Sequence, residues 1–237
     1  MVSNLVVIPW RPAPSRVDAF ERLLDWYARE LPEFRIETID SDDDVFVLAR
    51  TRNLAVAGLA HPDEVIVIND ADTLPEPAAL REAVAAAPGS GRVHLPYDSY
   101  HWLGAEGSSE FAAGTAPAEC SYVLVNGACS GVYVTTRRTW EAHGGQDERF
   151  RGWGFEDAAW YLAHETLLGA PPQRHHGRVY ALHHVGEQRA GAQYDRNAAL
   201  MERYRGAAGD PAAMSRLVAE GQAVRAANAS SEPGVAA

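Results

Sequence analysis

The run Val65-Ile-Val-Ile-Asn-Asp-Ala-Asp72 carries four apolar residues straight into an amide and two carboxylates. An unbroken apolar run of this length reads as a strand buried on both faces, the kind parallel sheets are built from. The carboxyl ends of such strands are where open α/β sheets bind ligands. Asp70 and Asp72 there make a hard, oxygen-rich site suited to Mg²⁺ or Mn²⁺, and such an ion would hold a diphosphate. The same spacing also serves as an Asp-rich turn and N-cap before a helix, expected here at 75–87. Alone, the pair does not choose between these roles.

Three further segments carry chemistry. In Gly144-Gly-Gln-Asp-Glu-Arg-Phe-Arg-Gly-Trp-Gly-Phe-Glu-Asp157, two glycines end one helix, a Gly-Trp-Gly bend follows, and an acidic pair opens the next helix. Glycines allow a tight bend or a close approach to a ligand. Trp153 beside the bend offers a flat stacking surface for a sugar ring. Glu156 and Asp157 offer one carboxylate for proton transfer and another for hydrogen bonds to hydroxyls; a helix-dipole role for the acids and a core role for Trp153 are the bland alternatives. Ala181-Leu-His-His184 closes the last expected strand, where a neutral imidazole suits the metal that Asp72 would touch. His175 and His176, in a Pro-rich loop, are less well placed. Ile8-Pro-Trp-Arg11 follows the first strand and Arg50-Thr-Arg-Asn53 opens the second helix, both suited to a nucleotide's phosphate and base or to plain solvated surface.

The elements that must position these groups alternate. Strands are expected at 4–9, 34–39, 65–69, 92–96, 121–125, 131–135 and 179–184. Helices are expected at 15–31, with Ser15 as N-cap, and at 47–59, 75–87, 137–143, 155–168, 194–204 and 211–227. This order indicates an α/β fold with a mostly parallel central sheet flanked by helices. The acidic run 40–44 reads as a solvated turn. The segment 97–118 has no clean period, and a loop of that length reads as a mobile lid, an acceptor loop or plain disorder.

The chain has 237 residues and 46% hydrophobic content, enough for one large core or a domain with an appendage. Its net charge of −11 argues against nonspecific binding to nucleic acid or anionic membrane. All 21 basic residues are Arg; the bland source is a GC-rich genome, though Arg also suits bidentate phosphate contacts. Cys120 and Cys129 have no metal-binding spacing, and a reducing cytoplasm is the simpler expectation. No run approaches the roughly 20 apolar residues that cross a bilayer, and the start of the chain has no signal-like pattern. A cytoplasmic protein is expected.

Taken in order, the strand-end Pro-X-Arg, the Arg-Asn helix start, Asp-X-Asp, Gly-Gly-X-Asp-Glu-X-Phe-X-Gly-Trp-Gly-X-Glu-Asp and the late His resemble the GT-A glycosyltransferases over residues 4–186. The β-1,4-galactosyltransferases and the chondroitin-polymerase type of family 2 enzymes are most alike, and the polypeptide N-acetylgalactosaminyltransferases share part of the pattern. A GT-A core is expected at 1–190, the two terminal helices form an extension packed on it at 191–227, and the small, polar last residues read as a disordered tail at 228–237. The resemblance implies a UDP-sugar as donor, Mn²⁺ or Mg²⁺ as cofactor, and a glycan, protein or small-molecule acceptor, with a modified nucleobase less attractive for so acidic a chain. By position, Pro9 and Arg11 would contact uridine, and Arg52 and Asn53 would line the nucleotide pocket. Asp70 would meet ribose or the donor sugar, and Asp72 would ligate the metal with His183, or with His184 as second choice. Trp153 and Glu156 would hold acceptor or donor sugar, and Asp157 would be the base of an inverting reaction, facing one cleft with Asp72. Phe155 departs from the family's usual Gly, and Ala158 from its usual acid. The alternatives are a retaining transferase, a sugar nucleotidyltransferase, disfavoured by Pro-Trp-Arg-Pro-Ala-Pro where a Gly-rich phosphate loop belongs, and a non-catalytic sugar-binding module.

Overall fold

The computed structural model describes residues 4–41, 43–185 and 189–231. The chain divides into two compact units, one of 1–40, 55–140 and 172–186, the other of 41–54, 141–171 and 187–237.

The first unit is built on two sheets. In chain order it contains β1 (Leu5–Pro9), α1 (Val17–Glu30) and β2 (Arg35–Ile39). After α2 (Leu48–Ala57), which straddles the division of the chain, come β3 (Val65–Asn69), β4 (Thr73–Pro75), α3 (Pro77–Ala86), β5 (His94–Leu95), β6 (Ser99–Leu103), α4 (Gly104–Ala112) and β7 (Val123–Leu124). The unit then runs through β8 (Val132–Thr136) and into α5 (Arg137–Ala142). The larger sheet has the order β2-β1-β3-β8-β5, with a sixth strand, Gln173–Arg174, beside β5. β1 pairs in parallel with β2 and β3, while β8 runs antiparallel to β3 and to β5. Every residue of β1, β3 and β8 is buried, as expected for strands with apolar side chains on both faces.

The second unit contains α6 (Glu156–Leu168), α7 (Ala192–Ala207) and α8 (Pro211–Ser231). Phe150, Ala159, Ala163, Met201, Tyr204, Ala207, Met214 and Leu217 form their common core. The C-terminal helices thus share one core with the segment that carries Glu156 and Asp157. Of the tail expected at 228–237, residues 228–231 continue α8, and 232–237 lie outside the described residues.

The end of the first unit supplies β9 (Gln173–Arg174), the sixth strand of the larger sheet, and β10 (Arg178–Leu182), which joins the smaller sheet, β4-β10-β6-β7. This sheet corrects the reading of 97–118 as a lid or disorder. Ser99–Leu103 is a strand paired in parallel with β10 and antiparallel with β7. Gly104–Ala112 is a helix, followed by a 3₁₀ turn at Pro117–Glu119. The strand was missed because its burial alternates only over its last three residues. Two smaller corrections stand nearby. Thr73–Pro75 is a strand, so α3 starts at Pro77 rather than at 75. The N-cap of α1 is Arg16, not Ser15.

Candidate functional site

In the first unit the carboxylates expected to bind metal sit on a turn between β3 and β4. Asn69, the last residue of β3, shapes it. Its side-chain amide donates to the Asp70 and Thr73 carbonyls at 2.7 and 2.8 Å, and its side-chain oxygen accepts from the Tyr27 hydroxyl at 2.7 Å. Burial pushes the Tyr27 phenol well above its ordinary pKa, so it stays a donor. The Asp70 amide donates to the Gly131 carbonyl at 2.7 Å, and the Thr73 amide to that of Asp70 at 3.2 Å. Gly131 has φ +94°, and a Cβ there would lie 3.1 Å from Thr73 and 3.2 Å from Tyr100, so only glycine fits without displacement.

Asp72 is partly buried. Its Oδ1 accepts from the Thr73 hydroxyl at 3.1 Å, and its Oδ2 lies 2.9 Å from Nε2 of His184. The hydrogen bond with Asp72 raises the His184 pKa against the opposing effect of burial. β10 carries the histidine there, because the Leu182 amide donates to the Asp72 carbonyl at 2.8 Å. His183 turns the other way. Its amide donates to Ser108 Oγ at 2.8 Å, and its ring lies 6.3 Å from that of Trp102. The structure therefore brings His184 to Asp72 and sets His183 beside Trp102.

At the end of β1, Pro9 pairs with Ile39, and Arg11 forks onto Asp40 at 2.7 and 2.8 Å. Asp40 was read only as part of an acidic turn. Its partner lies 29 residues away, and no local spacing announces such a pairing. A cleft of about 540 Å³ in this unit is lined by α1 and α4 residues including Trp26, Arg29 and Phe111. It contains none of the site residues expected from sequence, and the strand-end carboxylates remain the stronger chemical signal.

In the second unit Arg52 and Asn53 are buried, with Arg52 at 0% exposure. Arg52 Nη1 donates to Gln146 Oε1 at 3.1 Å and to Asp157 Oδ1 at 2.7 Å. The Asn53 side chain donates to the Gln146 carbonyl and to Glu148 Oε1, at 2.8 and 2.9 Å, and accepts from the Gln146 amide at 2.9 Å. These two residues brace the Gly-rich segment and hold the Asp157 carboxylate. Gln146 and Glu148 were unread as partners because they lie more than ninety residues from them.

Glu156 and Asp157 occupy the first turn of α6, where the helix dipole favours negative charge. The N-cap Phe155 has φ +75°, the left-handed region that a bulky residue rarely enters. That backbone explains why Gly suits the position in the family the sequence resembles. The Phe155 ring packs 5.2 Å from Tyr194. Trp153 is 37% exposed, stacks on Tyr194 at 6.3 Å and carries the Arg189 guanidinium 4.2 Å above its ring.

Asp72 with His184 belongs to one unit and Asp157 with Arg52 to the other. Among the described residues no group of three or more His, Cys, Asp and Glu is arranged to hold a metal ion, and no helix is long and apolar enough to cross a membrane. Both cysteines are free.

No family model matches the sequence, and no curated protein matches it. Solved structures do. The catalytic domain of Drosophila β1,4-galactosyltransferase 7, in complex with xylobiose, matches at 15% identity and a TM-score of 0.55, over 82% of this chain and 78% of that one. An Asp-to-Asn mutant of the same enzyme, with manganese, UDP-Gal and xylobiose, matches at 14% identity and a TM-score of 0.53, over 81% and 78%. GalNAc-T7 with UDP, GalNAc and Mn²⁺ matches at 9% identity and a TM-score of 0.57, over 92% of this chain and 54% of that one. The fold, a mixed sheet flanked by helices, is accordingly the GT-A fold of these glycosyltransferase domains.

Proposed function

We propose that the chain is a metal-dependent glycosyltransferase that moves a sugar from a UDP-sugar to an acceptor hydroxyl with inversion. The observation that carries this reading is the Asp72–His184 pair at the strand ends of a GT-A fold. A carboxylate oxygen and an imidazole nitrogen are donor types that Mn²⁺ or Mg²⁺ would take, and the 2.9 Å hydrogen bond already brings the two together. Two protein ligands are few, and that is the usual economy of ions that complete their shell with water and substrate phosphate. The fold neighbours with UDP and Mn²⁺ support the same choice of donor and ion.

Asp72 and His184 would hold Mn²⁺ or Mg²⁺, which when bound supplies Lewis-acid stabilisation of the departing diphosphate. Asp70 faces ribose or the donor sugar from the same turn, and Pro9 and Arg11 flank the uridine end. Asp157 takes the proton from the acceptor hydroxyl as that oxygen attacks the anomeric carbon, a transfer worth about 10²- to 10⁴-fold. Arg52 is its positioning residue, and Glu156 and Trp153 hold sugar.

The test is a thermal-shift panel of UDP-, GDP- and TDP-sugars with and without Mn²⁺, since a ligand that prefers the native state raises Tm. UDP-sugars should protect only with the metal. Asp72→Ala should abolish that dependence. Asp157→Asn, which keeps an acceptor for Arg52, should retain protection and lose transfer. Equal protection by all donors without metal would overturn the reading.

A further inference from the structure

The cleft of about 540 Å³ between α1 and α4 has the size of a small-molecule site and holds none of the strand-end carboxylates. One face of α1 forms its floor. Arg22, Asp25, Trp26 and Arg29 recur at helical spacing and all border it, and Phe111 at the end of α4 closes the other side. The Trp26 and Phe111 rings meet edge to face at 6.4 Å. Beyond them the wall is the turn at 114–117, which the Cys120 thiol holds by donating to the Ala116 carbonyl at 3.4 Å. Floor and wall are thus fixed by the protein's own contacts.

The charges on the rim are not all committed. Arg22 forks onto Asp18 at 3.0 and 3.1 Å, and Glu30 lies in the field of Arg81, which donates to its carbonyl at 2.9 Å. Asp25 and Arg29 are left. An acid four residues before a base on a helix ordinarily pairs with it. Among the described residues, however, neither side chain has an ion-pair or hydrogen-bond partner, and both border the cleft. Their side chains leave α1 about 5–6 Å apart, close enough for two opposite charges carried on one carbon. A zwitterion fits the pair, with its carboxylate on the Arg29 guanidinium, its ammonium on the Asp25 carboxylate and a ring against Trp26 and Phe111.

Both walls of the cleft also reach the Asp72–His184 pair. Trp26 donates its indole N–H to the Pro75 carbonyl at 3.1 Å, and Tyr27 donates its hydroxyl to Asn69, so α1 grips both ends of the turn that carries Asp72. On α4, Ser108 accepts from the His183 amide at 2.8 Å, next to His184. A ligand spanning Trp26 and Phe111 fixes these two helices against each other.

We propose that this cleft binds a free aromatic α-amino acid, an effector that raises the affinity of Asp72 and His184 for the divalent ion. The binding stands on the cleft alone, and the effector role rests on the metal reading above.

Isothermal titration calorimetry on the full chain tests the binding with L-phenylalanine and L-tryptophan. Hydrocinnamate lacks the ammonium, phenethylamine lacks the carboxylate, and N-acetyl-L-phenylalaninamide, a stand-in for a peptide, lacks both charges. At least one amino acid should bind about tenfold more tightly than these three, the scale of one charged hydrogen bond. Arg29→Met and Asp25→Asn, both at exposed positions, should each weaken it about tenfold. Asp25→Asn should leave hydrocinnamate binding unchanged. Free Mn²⁺ measured by electron paramagnetic resonance tests the coupling. Saturating amino acid should tighten Mn²⁺ binding about fivefold, and by linkage Mn²⁺ should tighten amino-acid binding by the same factor. Arg29→Met should bind Mn²⁺ as wild type does and lose that response. No binding by either amino acid, or binding that both variants leave unchanged, overturns the site, and intact metal-dependent UDP-sugar protection then leaves the transferase reading standing. Equal binding of the uncharged amide overturns it in favour of a peptide. Amino-acid binding with Mn²⁺ affinity unmoved overturns the effector role. Absence of Mn²⁺ binding in wild type overturns the metal reading and the effector role together.

Discussion

At the scale of single residues, the groups that declared themselves in the sequence were those whose partners lie close in the chain. Asp72 was legible because an apolar strand runs directly into it. Asp40, Gln146 and Glu148 were not, because each works through a partner between 29 and 95 residues away. The same holds for a buried relay that no motif suggested. His94 Nδ1 lies 2.8 Å from His175 Nε2, His94 Nε2 lies 2.8 Å from Ser90 Oγ, and His175 Nδ1 lies 3.1 Å from Glu82 Oε1. Burial, with smaller contributions from His175 and Arg92, lowers the His94 pKa from 6.5 to about 4. The unfolded chain therefore binds a proton between pH 6.5 and 4 that the folded chain refuses. The neutral form supports stability fully above pH 6.5, and that support fades as the pH falls through about 4, by up to about 3 kcal/mol. Urea titrations at pH 7 and pH 4.5 should show the loss in wild type, and His94→Gln should flatten it. An unchanged pH slope in the variant would remove His94 as the source.

Among the elements, long strands and amphipathic helices are legible as types, and β3 also in its bounds at Val65–Asn69, whereas the starts of α1 and α3 shift by two residues. β5 and β7 fall inside the strands expected at 92–96 and 121–125 but keep only two residues each, and β9, also two residues, is too short to show any period. α4 illustrates how a segment with no clear pattern is fixed by contacts instead. A Cβ on Gly107 would lie 1.9 Å from the Ser121 carbonyl oxygen, so α4 touches the backbone leading into β7 at the one residue that allows it. Glu110 then accepts from the Ser121 amide and hydroxyl at 2.6 and 3.1 Å, and Ser108 accepts from the His183 amide. Gly107→Ala must push the helix off that backbone, a strain of about 1–3 kcal/mol. Denaturant unfolding should show this loss with far-UV circular dichroism preserved. Wild-type stability in Gly107→Ala would show that the contact is looser than drawn.

On the scale of the whole molecule, the sequence indicates one core with an appended helical end, and the contacts divide the chain into two units. Three distant stretches, 41–54, 141–171 and 187–237, make the second unit. At two of the crossings no linker marks the change, since α2 and α5 run straight through them, whereas the crossing after α6 falls at Pro171 and Pro172. The consequence is that the C-terminal helices support the acidic first turn of α6 directly. Met214 is fully buried among Phe150, Ala159, Met201 and Tyr204. Tyr204 donates to Asp147 at 2.9 Å, and Arg149 reaches from Asp147 to the Leu217 carbonyl at 3.0 Å, which ties α7 and α8 to the Gly-rich segment. Asn197 on α7 donates to the Arg151 carbonyl at 2.8 Å. Met214→Ala should therefore cost about 2–5 kcal/mol, the range for emptying a well-packed methionine site. Its effect should appear where the core is shared. Hydrogen exchange should quicken across α6, α7 and α8, including the amides near Asp157, while β1 and β3 exchange as in wild type. Transfer activity should fall at temperatures where metal-dependent UDP-sugar protection persists, because the carboxylate assigned to proton transfer depends on this core and Asp72 does not. Uniform loss of protection over the entire chain would instead mean that the two units unfold as one.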